Sequence, residues 1–174
     1  MDFGLAMLHM FPNIQPSQYE LMRQSDGSVA ITRWDSTTTP QPTEQQVIDF
    51  YNSPNGMLPY FQQQKINELT AKCDATIQAG FSSSALGVPH TYPATVESMI
   101  YFNATINRFL VDPTFTTLKQ LTLDAGYLDH TKEQFIQVFN DGHQFGIVQD
   151  GKLAQLKYQV SQATTPDQVN QVTW

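Results

Sequence analysis

The stretch from Ala71 to Pro93 constrains the fold more than any other part of the chain. Ile66, Leu69, Cys73 and Ile77 recur at steps of three, four and four, so they form one face of a helix. Gly80 ends that helix, because glycine enters the left-handed backbone conformation of a helix C-terminus at no steric cost. Phe81 to Tyr92 then reads as two short strands that turn at Leu86-Gly87. A long helix running into a tight hairpin requires a mixed fold in which both elements share a core.

The rest of the chain extends this α+β reading. A helix spans about 58–79, with Pro59 in its first turn, where a missing N–H costs nothing. Another spans about 94–110, with Val96, Met99, Ile100, Asn103, Ile106, Phe109 and Leu110 along one side, and Asp112-Pro113 breaks it. Leu118–Leu123 and Tyr127–His130 form a second hairpin across Asp124-Ala125-Gly126. Thr131 with Gln134 is a capping box. Phe135, Val138, Phe139, Phe145, Val148, Leu153, Leu156 and Val160 continue one stripe, but Asn140-Asp141-Gly142 and Asp150-Gly151 read as turns, so the residues alone leave the segment ambiguous. The single helix expected over 132–162, with its glycines permitting close contact, rests on a family resemblance carried by other residues. Thr165 caps a final short helix that carries Val169 and Val172 toward Trp174.

Residues 1–42 read differently. Tyr19–Gln24 and Ser28–Trp34 flank an Asp26-Gly27 turn, a strong hairpin signal, and a first strand is placed within Phe3–Met10. Residues 35–42, with Pro40 and Pro42, form a polar linker and the expected boundary, so that 1–42 is a β-rich attachment segment and 43–174 a mostly helical domain. Thr43 and Gln46 cap a short helix that opens the second part. Phe3, Phe11, Tyr19 and Trp34 crowd a segment too short for a core of its own. They are expected to dock within the chain or to form a partner interface, where such aromatics are enriched.

Several function classes find no support. The 174 residues carry a net charge of −7 and a pI near 4.8, with no basic stripe to engage nucleic-acid phosphates and no polybasic membrane patch. Residues 1–11 are apolar but lack the basic start and cleavage site of a signal peptide and are too short for a bilayer span. No phosphate loop, nucleophile elbow or calcium loop is present. His9, His90, His130 and His143 have no metal-ligand spacing, and His90 is expected to bond a turn backbone. Asp124 and Asp129 are ordinary turn aspartates, and Cys73 faces the core as a small inert side chain. No catalytic residue, cofactor or metal ligand is assigned, and an enzyme is not expected. Charged residues make up only 14% of the chain, leaving a surface rich in Gln, Thr, Ser and Asn that suits contact within an assembly.

The segment containing Cys73-Asp74-Ala75, Gly80-Phe81, Ala85-Leu86-Gly87, His90 and Tyr92-Pro93 resembles an uncharacterised domain family of tailed-phage tail-fibre and baseplate proteins, as does the ending at Trp174. The resemblance covers roughly 58–174 and departs after Pro93, where Glu97, Ser98 and Asn103 replace a Gln-rich spot. It implies a structural role in the virion tail, made in the host cytoplasm and joined to other tail-fibre or baseplate subunits, with a homotrimer expected by analogy. Gly80, Phe81, Leu86, Gly87, Tyr92 and Trp174 are the motif residues it singles out. Two alternatives stand beside it: a tail-fibre assembly chaperone that is not retained in the virion, and a host-surface carbohydrate-binding module with an exposed aromatic platform.

Overall fold

The computed structural model describes residues 1–174 and has the expected α+β character, six helices and three separate two-stranded antiparallel hairpins. The chain divides into two compact units, 1–67 with 157–173, and 68–156 with Trp174. The division cuts through both long helices, and the boundary expected at 42 lies inside the first unit.

The first unit opens with helix α1, Phe3–Met10, not with a strand. The sequence FGLAMLHM has no polar alternation and no β-branched residue, so nothing in it favours a pleat over a helix rich in Leu, Ala and Met. Asp2 caps it by accepting the Leu5 N–H at 2.9 Å. A 3-10 turn, Pro16–Gln18, leads into strands β1, Tyr19–Arg23, and β2, Val29–Trp34, which pair Tyr19 with Trp34 and are offset by a bulge after Glu20. Helix α2, Glu44–Asn52, begins with the expected capping box: Thr43 and Gln46 satisfy each other's backbone N–H at 3.1 and 2.8 Å. Phe3, Ala6 and Met7 of α1 bury against Val47, Tyr51 and Met57. Phe11, Tyr19, Leu21, Ile31 and Trp34 close over that cluster, so the N-terminal segment and α2 share one core.

Helix α3, Leu58–Gln78, starts in this unit. There Gln62 donates to the carbonyls of Val160 and Ala163, both at 3.2 Å. These lie at the end of the 31-residue helix α5, Lys132–Gln162, whose last carbonyls have no partner within the helix. Helix α6, Pro166–Gln171, follows, capped by Thr165 and holding buried Val169.

The second unit contains β3, Phe81–Ser83, β4, His90–Tyr92, α4, Val96–Val111, and strands β5, Thr117–Thr122, and β6, Gly126–Thr131. Gly80 ends α3 at φ +88°, and a Cβ there would fall 2.4 Å from the Tyr92 carbonyl oxygen, so both backbone hand and space demand glycine. Phe81, Tyr92, Phe102, Phe109, Phe135 and Val138 form the core. Phe81 stacks on Tyr92 at 5.7 Å between centroids and meets Phe102 edge-on at 6.3 Å. On α3, Leu69 and Cys73 are buried, as their spacing requires.

Candidate functional site

The polar groups of the motif segment pair with one another. Buried His130 lies 2.9 Å from the Leu128 carbonyl through Nδ1, which must therefore carry the hydrogen. In the neutral ring that leaves Nε2 to accept from the Tyr92 hydroxyl at 2.8 Å. Burial, reinforced by Asp124 and Asp141, pushes the Tyr92 phenol up to about 12. Ser83, also buried, donates to Asp141 at 2.5 Å. His90 bonds the carboxylate of Asp124 at 2.8 Å rather than a turn backbone, while the Thr91 N–H reaches the other oxygen of Asp124 at 2.9 Å. These bonds, the Thr91 N–H first, hold the Asp124 carboxyl below its ordinary range. Leu123 N–H donates to the Thr91 carbonyl at 2.7 Å, so β4 and the turn after β5 are tied by main chain and side chain together. Every member of this network has a partner within it.

The other motif residues hold the hairpin and the chain end. Leu86 is half-buried in the turn, where the Gly87 N–H donates to Ser84 at 2.9 Å and Gly87 takes φ +88°. Trp174 rests beneath the Lys152 ammonium, 4.3 Å from its ring centroid, and so meets α5 as expected. Among the proposed interface aromatics, Phe3 is buried, and Phe11, Tyr19 and Trp34 are partly buried against the first core. Phe11 meets Trp34 edge-on at 5.5 Å, and the Trp34 indole N–H donates to the Thr39 carbonyl at 2.8 Å.

Several exposed apolar side chains lie on α4. The single stripe read from the sequence divides into two. Phe102, Thr105 and Phe109 are buried with Met99 and Ile106 packed beside them. Val96, Ile100 and Leu110 are 73%, 65% and 76% exposed. The stripe read from the sequence held Met99, Ile106 and Phe109 but left out Phe102 and Thr105, because a helix apolar on much of its circumference has no unique periodic face. Ile147 and Val148 of α5, each about half exposed, add to the solvent-facing apolar side chains of this unit. A groove of about 430 Å³ runs between α4 and α5, lined by Val96, Ile100, Asn103, Phe145 and Ile147 among others. Of the α5 stripe read from the sequence, Val148 alone is exposed, and Gly142 is buried.

A second concavity, about 300 Å³, lies between α4 and the β5–β6 hairpin. Tyr101 and Tyr127 flank it, 50% and 67% exposed, with Glu97, Ser98, Lys119 and Gln120 completing its polar lining. The Glu97 carboxyl is held low by its own N–H and by Thr95. No group of residues in the structure has the composition and proximity of a metal site, and no helix is long and apolar enough to cross a membrane.

Residues 4–53 match the XkdW protein family, a phage-associated family typified by prophage proteins. The match covers α1 through the end of α2 and lies outside the 71–93 motif. No curated protein matches the chain, and no solved structure matches it.

Proposed function

We propose that the chain is a non-enzymatic structural component of a tailed-phage virion, at the tail fibre or baseplate, that attaches by protein–protein contact. The observation that carries the reading is the exposed apolar strip of α4, Val96, Ile100 and Leu110, backed by a groove against α5. Val96 and Ile100 stand one helical turn apart and line that groove, Leu110 lies near the other end of the helix, and solvent-facing apolar side chains grouped in this way mark interaction sites. The match of residues 4–53 to a phage-associated family and the low charge of the chain support it. Attachment in a symmetric appendage implies a homo-oligomer, with a trimer as the expected state.

Mass spectrometry of purified particles tests the reading. Recovery at stoichiometric copy number supports a virion component. Presence in the lysate with absence from particles identifies an assembly chaperone instead. Replacing Val96, Ile100 and Leu110 with Ser is expected to abolish incorporation while leaving thermal unfolding in place, since these side chains are already solvated. Normal incorporation of the triple variant would move attachment elsewhere on the chain.

A further inference from the structure

We propose that the concavity between α4 and the β5–β6 hairpin is a binding site for a short neutral saccharide, a function beyond the structural attachment proposed above. Its walls pair two exposed rings, Tyr101 and Tyr127, with a ring of hydrogen-bonding side chains, Glu97, Ser98, Lys119 and Gln120. Sugars present the matching chemistry: apolar C–H faces that lie on aromatic rings, and a rim of hydroxyls that need both donors and acceptors. A tyrosine ring supplies a large apolar face at little conformational cost, and its hydroxyl supplies a polar tip.

An independent observation points to a ligand. Gln120 is 2% exposed, and its Oε1 is buried with no hydrogen-bond partner, while its Nε2 donates to the Leu121 carbonyl at 3.1 Å. A buried acceptor left unpaired is costly and calls for a reason. Oε1 is shielded in the free protein; for it to meet a ligand in the cavity that Gln120 lines, the soft terminal amide torsion must turn and give up the bond to Leu121. A sugar hydroxyl would then supply the absent donor.

Charge and size narrow the class. Glu97 offsets Lys119, which also pairs with Asp129 at 3.1 Å, so the lining carries no net positive charge to favour a phosphate or carboxylate polymer. A volume of about 300 Å³ sits at the bottom of the usual range for small-molecule sites, which fits one or two pyranose rings.

The test is a titration of the ¹⁵N-labelled full chain with maltotriose and with chitotriose, following the Gln120 side-chain amide by NMR, with a sialylated trisaccharide as the anionic control. Saturable movement of that amide with a neutral sugar, at Kd on the order of 1 mM, is expected, with no response to the anionic one. Tyr127→Ala, at an exposed position that leaves the core intact, should weaken binding about tenfold without shifting thermal unfolding. Gln120→Leu should remove binding while keeping or raising stability. No movement with either neutral sugar at concentrations on the order of 10 mM overturns the proposal. So does binding that persists unchanged in a Tyr101→Ala, Tyr127→Ala double variant.

Discussion

Gly142→Ala is the most discriminating change the fold suggests, because two opposing effects of known size meet at one atom. Gly142 lies in the interior of α5, where alanine ordinarily stabilises a helix by about 1 kcal/mol relative to glycine. A Cβ at 142 would fall 2.6 Å from Cζ of Phe81 and 2.8 Å from its Cε1. That ring is 3% exposed and is held by Tyr92, Phe102 and Phe145, so it has no free direction in which to retreat. Overpacking of this kind costs about 1–3 kcal/mol. Gly146 and Gly151, in the same helix, have open space where a Cβ would stand. Gly146→Ala and Gly151→Ala should therefore raise stability by up to about 1 kcal/mol, and Gly142→Ala should fall about 1–3 kcal/mol below them. For a chain of this length each kcal/mol moves the unfolding midpoint by about 2–4 °C, which calorimetry resolves. Adding Phe81→Leu should relieve the collision and show coupling with Gly142→Ala of about 1 kcal/mol in a double-mutant cycle. If Gly142→Ala is as stable as Gly146→Ala, the ring does not occupy the space the glycine vacates, and the packing argument fails.

Gly87→Val should destabilise by about 1–3 kcal/mol, and Gly87→Asn by less, because nothing lies within 4 Å of a Cβ there and the penalty is backbone strain at φ +88° alone. Cys73, 2% exposed, should react with a thiol reagent only at the rate of unfolding; rapid labelling of the native protein would refute its burial. Asp124 has a folded-state pKa below its ordinary 3.8, so its contribution is present above that value and is lost as pH falls through the lowered one. Asp124→Asn should accordingly flatten the acid limb of urea midpoints measured from pH 6 down to about pH 2. Deleting residues 1–42 strips Phe3, Ala6 and Met7 from Val47, Tyr51 and Met57 and should cost the first unit its cooperative unfolding; a sharp transition in the truncated chain would reinstate an independent helical part.

What the sequence made legible follows from the strength of local signals. The bounds of α3 and the three hairpins were readable because caps, turn glycines and stripes agreed with one another, whereas in α5 the apolar stripe and the interior glycines pointed opposite ways. α1 was misread because FGLAMLHM is apolar throughout, and a short apolar run has no period by which to separate helix from strand. The α4 face was misread for a related reason: two apolar sides on one helix look like one wide stripe until packing selects Phe102 and Phe109 for the core. Gly142 was legible only as a permitted close contact. That its partner is Phe81, sixty-one positions away (142 − 81), is tertiary information that no local pattern carries. The saccharide pocket was not visible at all, since Tyr101, Gln120 and Tyr127 come together only through the packing of α4 on the second hairpin.

The location of the family match bears on how the parts of this chain divide their work. Residues 4–53 run from α1 to the cap of α2, and their aromatic and apolar side chains are spent on a single internal core. The likeness to a phage-associated family therefore lies in sequence that specifies packing. The exposed apolar strip and the tyrosine-lined concavity both fall between Pro93 and Asp150, outside the matched residues. A core tolerates substitution only at conserved volume, whereas solvent-facing side chains change with little effect on stability. The core of the second unit, built on Phe81, Tyr92, Phe102 and Phe135, also lies outside the match, so the likeness bears on the packing of the first unit alone. The Ser substitutions on α4 and the alanine substitutions at Tyr101 and Tyr127 act on the solvent-facing surface, so loss of incorporation and loss of sugar binding should separate cleanly from each other and from any loss of fold.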